Sequence, residues 1–358
     1  MRAAVLREFG APLDVVDHLE TVATGAGQVK VRIRATGLCH SDLSAMNGLL
    51  GLPSPFVPGH EGAGEIIEVG EGVTMVAPGD RVIVNFMPPC GACVDCANGE
   101  GNMCMSIARG ASATPNFRDG GNPVFGLLGC GTFAEEVVLP QQSVVKVADD
   151  VPFDIAALIG CGVTTGVGAA LNTAQVKKGS TVAVVGCGGV GIAAIMGARL
   201  AGAEQIVAID PSAAKRELVG RYGATAAVSP EEAEDKMTEL TGGRGFDYTF
   251  EVVGRSVTAR TAYDLVRRGG TMTVVGIGGP EETLPLSMRA FAGSGKRVLA
   301  SAYGGTDVPS FMDQLVGLWR DGRLDLASMI TGRASLDDVN KGFDLMRTGD
   351  AVRTVIEL

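Results

Sequence analysis

Residues 181–191 read "TVAVVGCGGVG". A short apolar run ends in Gly186, Gly188 and Gly191, spaced G-x-G-x-x-G. That string is weak alone. Here a strand pattern precedes it and a helix pattern over 190–202 follows. A second strand, "QIVAID" (205–210), then ends in Asp210, nineteen residues after Gly191. Together these are the parts of a dinucleotide-binding βαβ unit. The first glycine permits a tight turn, the second lets main chain approach a pyrophosphate, and the third lets helix pack on strand. Amide N–H groups at the helix start then face the phosphates. Asp210 can accept both adenosine ribose hydroxyls, and its charge opposes a 2′-phosphate. Pro211 follows rather than an arginine, so NAD is favoured over NADP. Lys215 and Arg216 lie one helical turn on and flank that ribose.

Outward from this unit, "DYTFEVVG" (247–254) and "TMTVVGIG" (271–278) are further apolar strands, with helix patterns at 212–222 and 256–268. Continuous apolar strands alternating with helices predict a doubly wound parallel sheet. The preceding part of the chain reads differently, as mostly β. "VKVRIRAT" (29–36) alternates apolar and polar residues, and "GEIIEVGEGV" (64–73) and "DRVIV" (80–84) resemble it, with Pro78, Gly79 and Asp80 as a turn. Beyond residue 297 come two more helix patterns. "SLDDVNKGFDLMRTG" (335–349) opens like a capping box, with Ser335 and Asp338, and stops at Gly349; "VRTVIEL" then reads as a strand.

At 358 residues the chain exceeds what one core usually serves, so two domains are expected. A content of 46% hydrophobic and 20% charged residues is that of a soluble globular protein. The net charge of −10 argues against nucleic acid or an anionic membrane as partner. No secretory signal is recognisable, and no run approaches the roughly 18 apolar residues of a membrane span. The expected compartment is the cytoplasm, where clustered thiols more often bind metal than form bridges.

Four of the eight cysteines, Cys90, Cys93, Cys96 and Cys104, have the spacing C-x2-C-x2-C-x7-C. Gly91 and Gly99 allow the bends that close four thiolates around zinc; an iron–sulfur cluster is the main competitor. A closed thiolate shell leaves no open position, so such a zinc is structural. A second set is dispersed: Cys39, His40, Ser41 and Asp42 in "GLCHSD", His60 and Glu61 in "GHEGAG", Cys161 in "GCGVTTG". Two thiolates and one imidazole make a zinc site with its fourth position open. His18, Cys130 and Cys187 have the ordinary reading of surface or core groups.

With these motifs in this order, the chain resembles the zinc-dependent alcohol dehydrogenases of the medium-chain dehydrogenase/reductase superfamily. The resemblance runs through "GHEGAG", the four-cysteine lobe, "FGLLGCGTFAEEVV", "GCGVTTG", the glycine loop and "VRTVIEL". It implies an α/β architecture in which a Rossmann sheet is inserted in a mostly β, GroES-like catalytic domain. Residues 1–156 would form that domain, with a structural zinc lobe near 89–105. Residues 157–297 would bind NAD, and 298–358 would complete the first domain. It implies two zinc ions per chain: a catalytic one on Cys39, His60 and Cys161, with Glu61 as a transient ligand, and a structural one on the four-cysteine lobe. Asp42 would orient the zinc-bound imidazole, and Ser41 would take the substrate's proton.

The same resemblance places His40, Thr165, Gly189, Val190, Lys215, Val275, Ile277 and Arg353 at the cofactor, with His40 and Arg353 on the pyrophosphate. Leu50, Phe86 and Ile277 would line the substrate pocket with Ser41. Ser44 stands where liver-type relatives end the proton relay in histidine. Leu50 stands where relatives that oxidise the glutathione adduct of formaldehyde carry an acid, so the adduct is disfavoured against a primary or secondary alcohol oxidised through a zinc-bound alkoxide. Dehydrogenation of a thiol adduct of formaldehyde is the alternative. A dinucleotide-binding redox sensor without catalysis is a third reading. The long segment between Cys104 and Phe133 favours a homodimer over a homotetramer.

Overall fold

The computed structural model describes residues 1–349 and 351–358. The chain forms two compact units, one of Met1–Gly162 with Asp307–Leu358 and one of Val163–Thr306. These limits fall C-terminal to the expected 156/157 and 297/298. The second shifts because Arg297–Ala300 pairs in parallel with Val266–Val274 and so belongs to the inserted sheet.

The first unit is built on a mixed sheet with the order Val144–Val147, Arg81–Val84, Glu61–Val69, Gln28–Gly37, Arg353–Glu357, Ile330–Ser335; Glu136–Pro140 adds to Gln28–Gly37. The alternation of 29–36 is seen directly. Val29, Val31 and Ile33 are buried while Lys30, Arg32 and Arg34 are not. Beneath them lie Val82, Val84, Phe133, Val137, Leu139 and Ile356. Each such side chain contributes about 1.5–3 kcal/mol on burial. The closing strand returns to the start of the unit by pairing Ile356 with Thr36.

The second unit is a six-stranded parallel sheet in the order Ala226–Val228, Gln205–Ile209, Thr181–Val185, Phe246–Glu251, Val266–Val274, Arg297–Ala300. Strand order reverses between Thr181–Val185 and Phe246–Glu251, where ligands bind at the carboxyl ends of such sheets. The helices Gly189–Leu200 and Ala213–Tyr222 follow the expected patterns, but the one expected over 256–268 stops at Leu265, because the strand Val266–Val274 begins there.

Two expectations are corrected. Phe153–Thr173 is one helix of 21 residues with mean hydropathy 1.6, long and apolar enough to cross a membrane. Its glycines and threonines hide it from a search for unbroken apolar runs. Most of its apolar window (83%) is buried, and Gly166 and Gly168 bring it against the main chain of Val190 and Gly304. Ser335 does not cap its helix through a main-chain N–H; its hydroxyl donates to Asp338 Oδ2 at 2.9 Å.

Candidate active site

Strand Gln28–Gly37 delivers Cys39 to the start of helix His40–Met46, and Gly37 lies opposite Glu61 on the neighbouring strand. A Cβ on Gly37 would overlap the Glu61 carboxylate, so glycine is needed for that close approach. Cys161 comes from the π-helical turn Ile159–Val163, a local distortion common at functional sites. The metal-ligating atoms of Cys39, His60, Glu61 and Cys161 all lie within 4.8 Å of one another, and all four residues are buried.

Asp42 binds the set together. Its Oδ2 accepts from Cys39 N at 2.9 Å, and its Oδ1 accepts from Gly59 N at 2.9 Å and faces His60 Nδ1 at 3.1 Å. That contact fixes the ring and leaves Nε2 for a metal. Burial opposes charge on His60, but Asp42 prevails and holds the imidazole well above its usual range.

The donor atoms gathered here suit a cation. Both Glu61 oxygens are buried with no hydrogen-bond donor among the described residues, and burial raises this carboxyl to about 8. The Cys161 thiol donates toward Cys39 and holds the latter well below the ordinary thiol range. Two thiols, an imidazole and a carboxylate whose oxygens make no hydrogen bond, in one dry cluster, are a donor set for zinc. Arg353 is the one neighbouring guanidinium in this set of contacts. It is buried, donates to the Leu38 carbonyl at 3.1 Å and stands 3.2 Å from Glu61 Oε1. It is turned toward the cysteine–histidine cluster, and a Cβ on Gly162 would overlap it. This ion pair is not apparent in the sequence, where the two residues stand 292 positions apart.

Ser41 is half-buried with Oγ 3.7 Å from the Cys39 sulfur. Phe86 packs edge-on against His60, ring centroids 5.2 Å apart, and also lines a cavity of about 530 Å³. Met87, Met105, Ala108, Phe125 and Leu128 supply apolar walls, and Arg109 supplies a cation. Arg109 makes no ion pair among the described residues. Helix Ser106–Ser112 carries it, so the long segment after Cys104 forms one wall of the cavity. Nothing in the spacing marked Arg109. Leu50, expected at the pocket, is half-buried against the apolar core and is not among the residues lining this cavity.

The four-cysteine lobe closes as its spacing requires. The four sulfurs lie within 4.8 Å of one another, and no cysteine is in a disulfide. Gly91 and Gly99 have φ of 73° and 79°. Main-chain N–H groups of Ala92 and Cys93 point at the Cys90 sulfur and lower its thiol to about 6.

In the Rossmann unit, Gly186 has φ of 99°, and a Cβ on Gly191 would overlap the Gly186 carbonyl. A Cβ on Gly188 would meet nothing within 4 Å. The protein itself does not require glycine there, which fits a group approaching from outside. Asp210 accepts from Cys187 N at 2.7 Å and Ser212 N at 2.9 Å, which fixes its carboxylate. Val190, Thr165 and Lys215 are half-buried, Gly189 and Val275 are buried, and Ile277 and His40 are exposed.

The chain matches the alcohol dehydrogenase GroES-like domain over residues 25–149 and the zinc-binding dehydrogenase family over 189–317. It is 39% identical to the S-(hydroxymethyl)glutathione dehydrogenase of Paracoccus denitrificans, across 99% of each chain. The chain belongs to the zinc-dependent alcohol dehydrogenase family of the medium-chain dehydrogenase/reductase superfamily. Two solved structures agree with this family in fold. An alcohol dehydrogenase zinc-binding domain protein from Burkholderia ambifaria superposes with TM-score 0.93 at 31% identity, covering 100% of this chain and 98% of the other. Benzyl alcohol dehydrogenase from Acinetobacter calcoaceticus gives 0.91 at 27%, covering 100% and 99%.

For this dehydrogenase, Asp42→Asn should weaken the metal site without emptying the fold. Loss of the carboxylate behind an imidazole ligand typically costs about 10–100-fold in metal affinity or activity. Zinc competition with a chelator and steady-state turnover should both show it, and because the new amide NH2 faces a main-chain N–H, about 1–3 kcal/mol of stability should be lost with it.

Proposed function

We propose that this enzyme uses zinc and NAD to oxidise the hydroxymethyl adduct formed by formaldehyde and a carboxylate-bearing thiol. The adduct R–S–CH2–OH would become the thioester R–S–CHO, with hydride passed to NAD and one proton released. The observation that carries this reading is the cavity beside Phe86, apolar along its walls with the Arg109 guanidinium on one side. The full-length relative named S-(hydroxymethyl)glutathione dehydrogenase supports it. The preference for a simple alcohol that followed from Leu50 is therefore reversed. Oxidation of an apolar primary alcohol remains the second reading, favoured by the same walls and by the benzyl alcohol dehydrogenase neighbour.

Cys39, His60 and Cys161 would hold the catalytic zinc, with Glu61 behind it as a further donor. Zinc, when bound, supplies a Lewis acid that makes an alcohol acidic enough to ionise near neutral pH. Asp42 holds His60 in the tautomer that presents Nε2. Ser41 Oγ receives the substrate's hydroxyl proton and passes it on; Ser44, half-buried one turn along the same helix, is a candidate for the next step. Phe86 shields the imidazole from water on one side and sets the direction of the substrate's tail. On the Rossmann unit, Gly186, Gly188 and Gly191 would admit the pyrophosphate, and Asp210 would bind the adenosine ribose of NAD in preference to NADP. Cys90, Cys93, Cys96 and Cys104 would hold the structural zinc. The expected assembly is a homodimer.

Arg109→Ala tests the substrate side. Removing a charge-assisted hydrogen bond typically costs about 1.5–3 kcal/mol, so KM for the glutathione adduct should rise roughly ten- to a hundredfold. KM for benzyl alcohol should barely move. Equal effects on both substrates would remove Arg109 from substrate recognition.

A further inference from the structure

Glu251 is the last residue of the strand Phe246–Glu251, at the point where the order of the parallel sheet reverses. It pairs in register with Val185, the last residue before the glycine loop. It is 1% exposed and has no ion-pair partner among the described residues. A carboxylate so buried needs a reason, because desolvating it is costly.

Its hydrogen bonds give one. Oε1 accepts from Val253 N at 2.9 Å, Gly254 N at 2.8 Å and Thr258 Oγ1 at 2.7 Å, so one oxygen gathers the loop after its own strand and the helix beyond. Its main-chain carbonyl accepts from Val275 N at 2.8 Å and Gly276 N at 3.1 Å, from the loop after the next strand. The two loops mesh. Gly254 has φ of 83°, and a Cβ there would overlap main chain of Ile277 and Gly278. The glycine loop leans on the same place, since a Cβ on Gly186 would strike Val252 and Val253. Three strand-end loops thus converge on one residue.

We propose that Glu251 is a positioning residue for the nicotinamide half of the cofactor site. The inference rests on the NAD reading above. In a doubly wound sheet each half takes one mononucleotide, and the halves meet at the reversal point. Asp210 and the glycine loop belong to the half built on Thr181–Val185, which takes the adenosine end. The loops held by Glu251 belong to the other half. Misplaced loops there should weaken binding of the whole dinucleotide and leave binding of its AMP portion intact.

The second oxygen, Oε2, is buried with no donor among the described residues. Exchanging it for an amide group therefore removes no hydrogen bond, and Glu251→Gln keeps the oxygen that gathers the loops. Glu251→Ala leaves three donors without their acceptor.

The experiment measures dissociation constants of AMP and NADH for the zinc-loaded full chain by fluorescence or calorimetry. Measurable wild-type affinity for both ligands establishes the NAD reading on its own. Glu251→Ala should then weaken NADH about tenfold or more and leave AMP within about twofold, with Glu251→Gln recovering most of the NADH affinity. Thr258→Val removes one of the three donors to Glu251, together with the hydroxyl's local contacts to the Arg255 main chain, and should give a smaller loss of the same kind. Because it alters one hydroxyl, it remains informative if the alanine variant fails to fold. Unchanged NADH affinity in Glu251→Ala, equal loss of AMP and NADH, or a Thr258→Val protein identical to wild type with both ligands would overturn the proposal.

Discussion

Cys161→Ala is expected to lower kcat by roughly a thousandfold or more, the rate equivalent of the several kcal/mol that a Lewis-acid metal supplies. The buried cluster has few ways to compensate. Cys39, His60 and Glu61 remain, but the thiol that donates toward Cys39 is gone, and with it one of the two sulfurs in the donor set. Residue 161 sits in a π-helical turn whose backbone is held by neighbouring helix, so the alanine protein should fold. Metal analysis should find about one zinc per chain in place of two. Thermal unfolding should move by only a few degrees. Retained turnover with the same zinc content would show that the chemistry lies elsewhere.

Cys93→Ala should have its large effect on stability. The lobe has almost no core: between Cys90 and Met103 the buried residues are Gly101 and Asn102, while Val94 and Met103 stand 71% and 51% exposed. Four sulfurs drawn to within 4.8 Å of one another are what holds it. Metal binding is folding energy in such a segment, several kcal/mol or more. Losing one ligand should lower Tm by roughly 5–10 °C in a unit of this size and open residues 90–104 to protease. The remaining folded protein should keep most of its kcat. A Cys93→Ala protein with unchanged Tm and two zincs would contradict the structural assignment. Together the two substitutions separate the cluster proposed to react from the cluster proposed to brace the lobe.

Much of this was legible in the sequence because it is local. The glycine spacing and Asp210 needed only the order of strand, loop and helix, and each glycine has a matching contact or opening in the structure. The thiol lobe is fifteen residues long and closes on itself. The dispersed metal-ligand candidates Cys39, His60 and Cys161 are legible as a set only through the family resemblance; spacing alone cannot join residues from a helix start, a strand start and a π-helical turn. Arg109 is not legible in the sequence because its meaning depends on a cavity wall folded from a long segment. Glu251 and the inward turn of Arg353 are hidden for a similar reason. A buried charge looks like any other charge until its neighbours are known. The apolar helix Phe153–Thr173 was missed because its glycines, which interrupt the apolar run, are the residues that let it pack closely.

The proposed chemistry has the cluster of Cys39, His60 and Cys161, once loaded with zinc, oxidise a thiol adduct. The direct measurement is the initial rate of NADH formation from formaldehyde and NAD, with and without glutathione, alongside benzyl alcohol. Turnover that appears only when the thiol is present, and exceeds that with benzyl alcohol, is the predicted result. Turnover of benzyl alcohol with none from formaldehyde and thiol would contradict it.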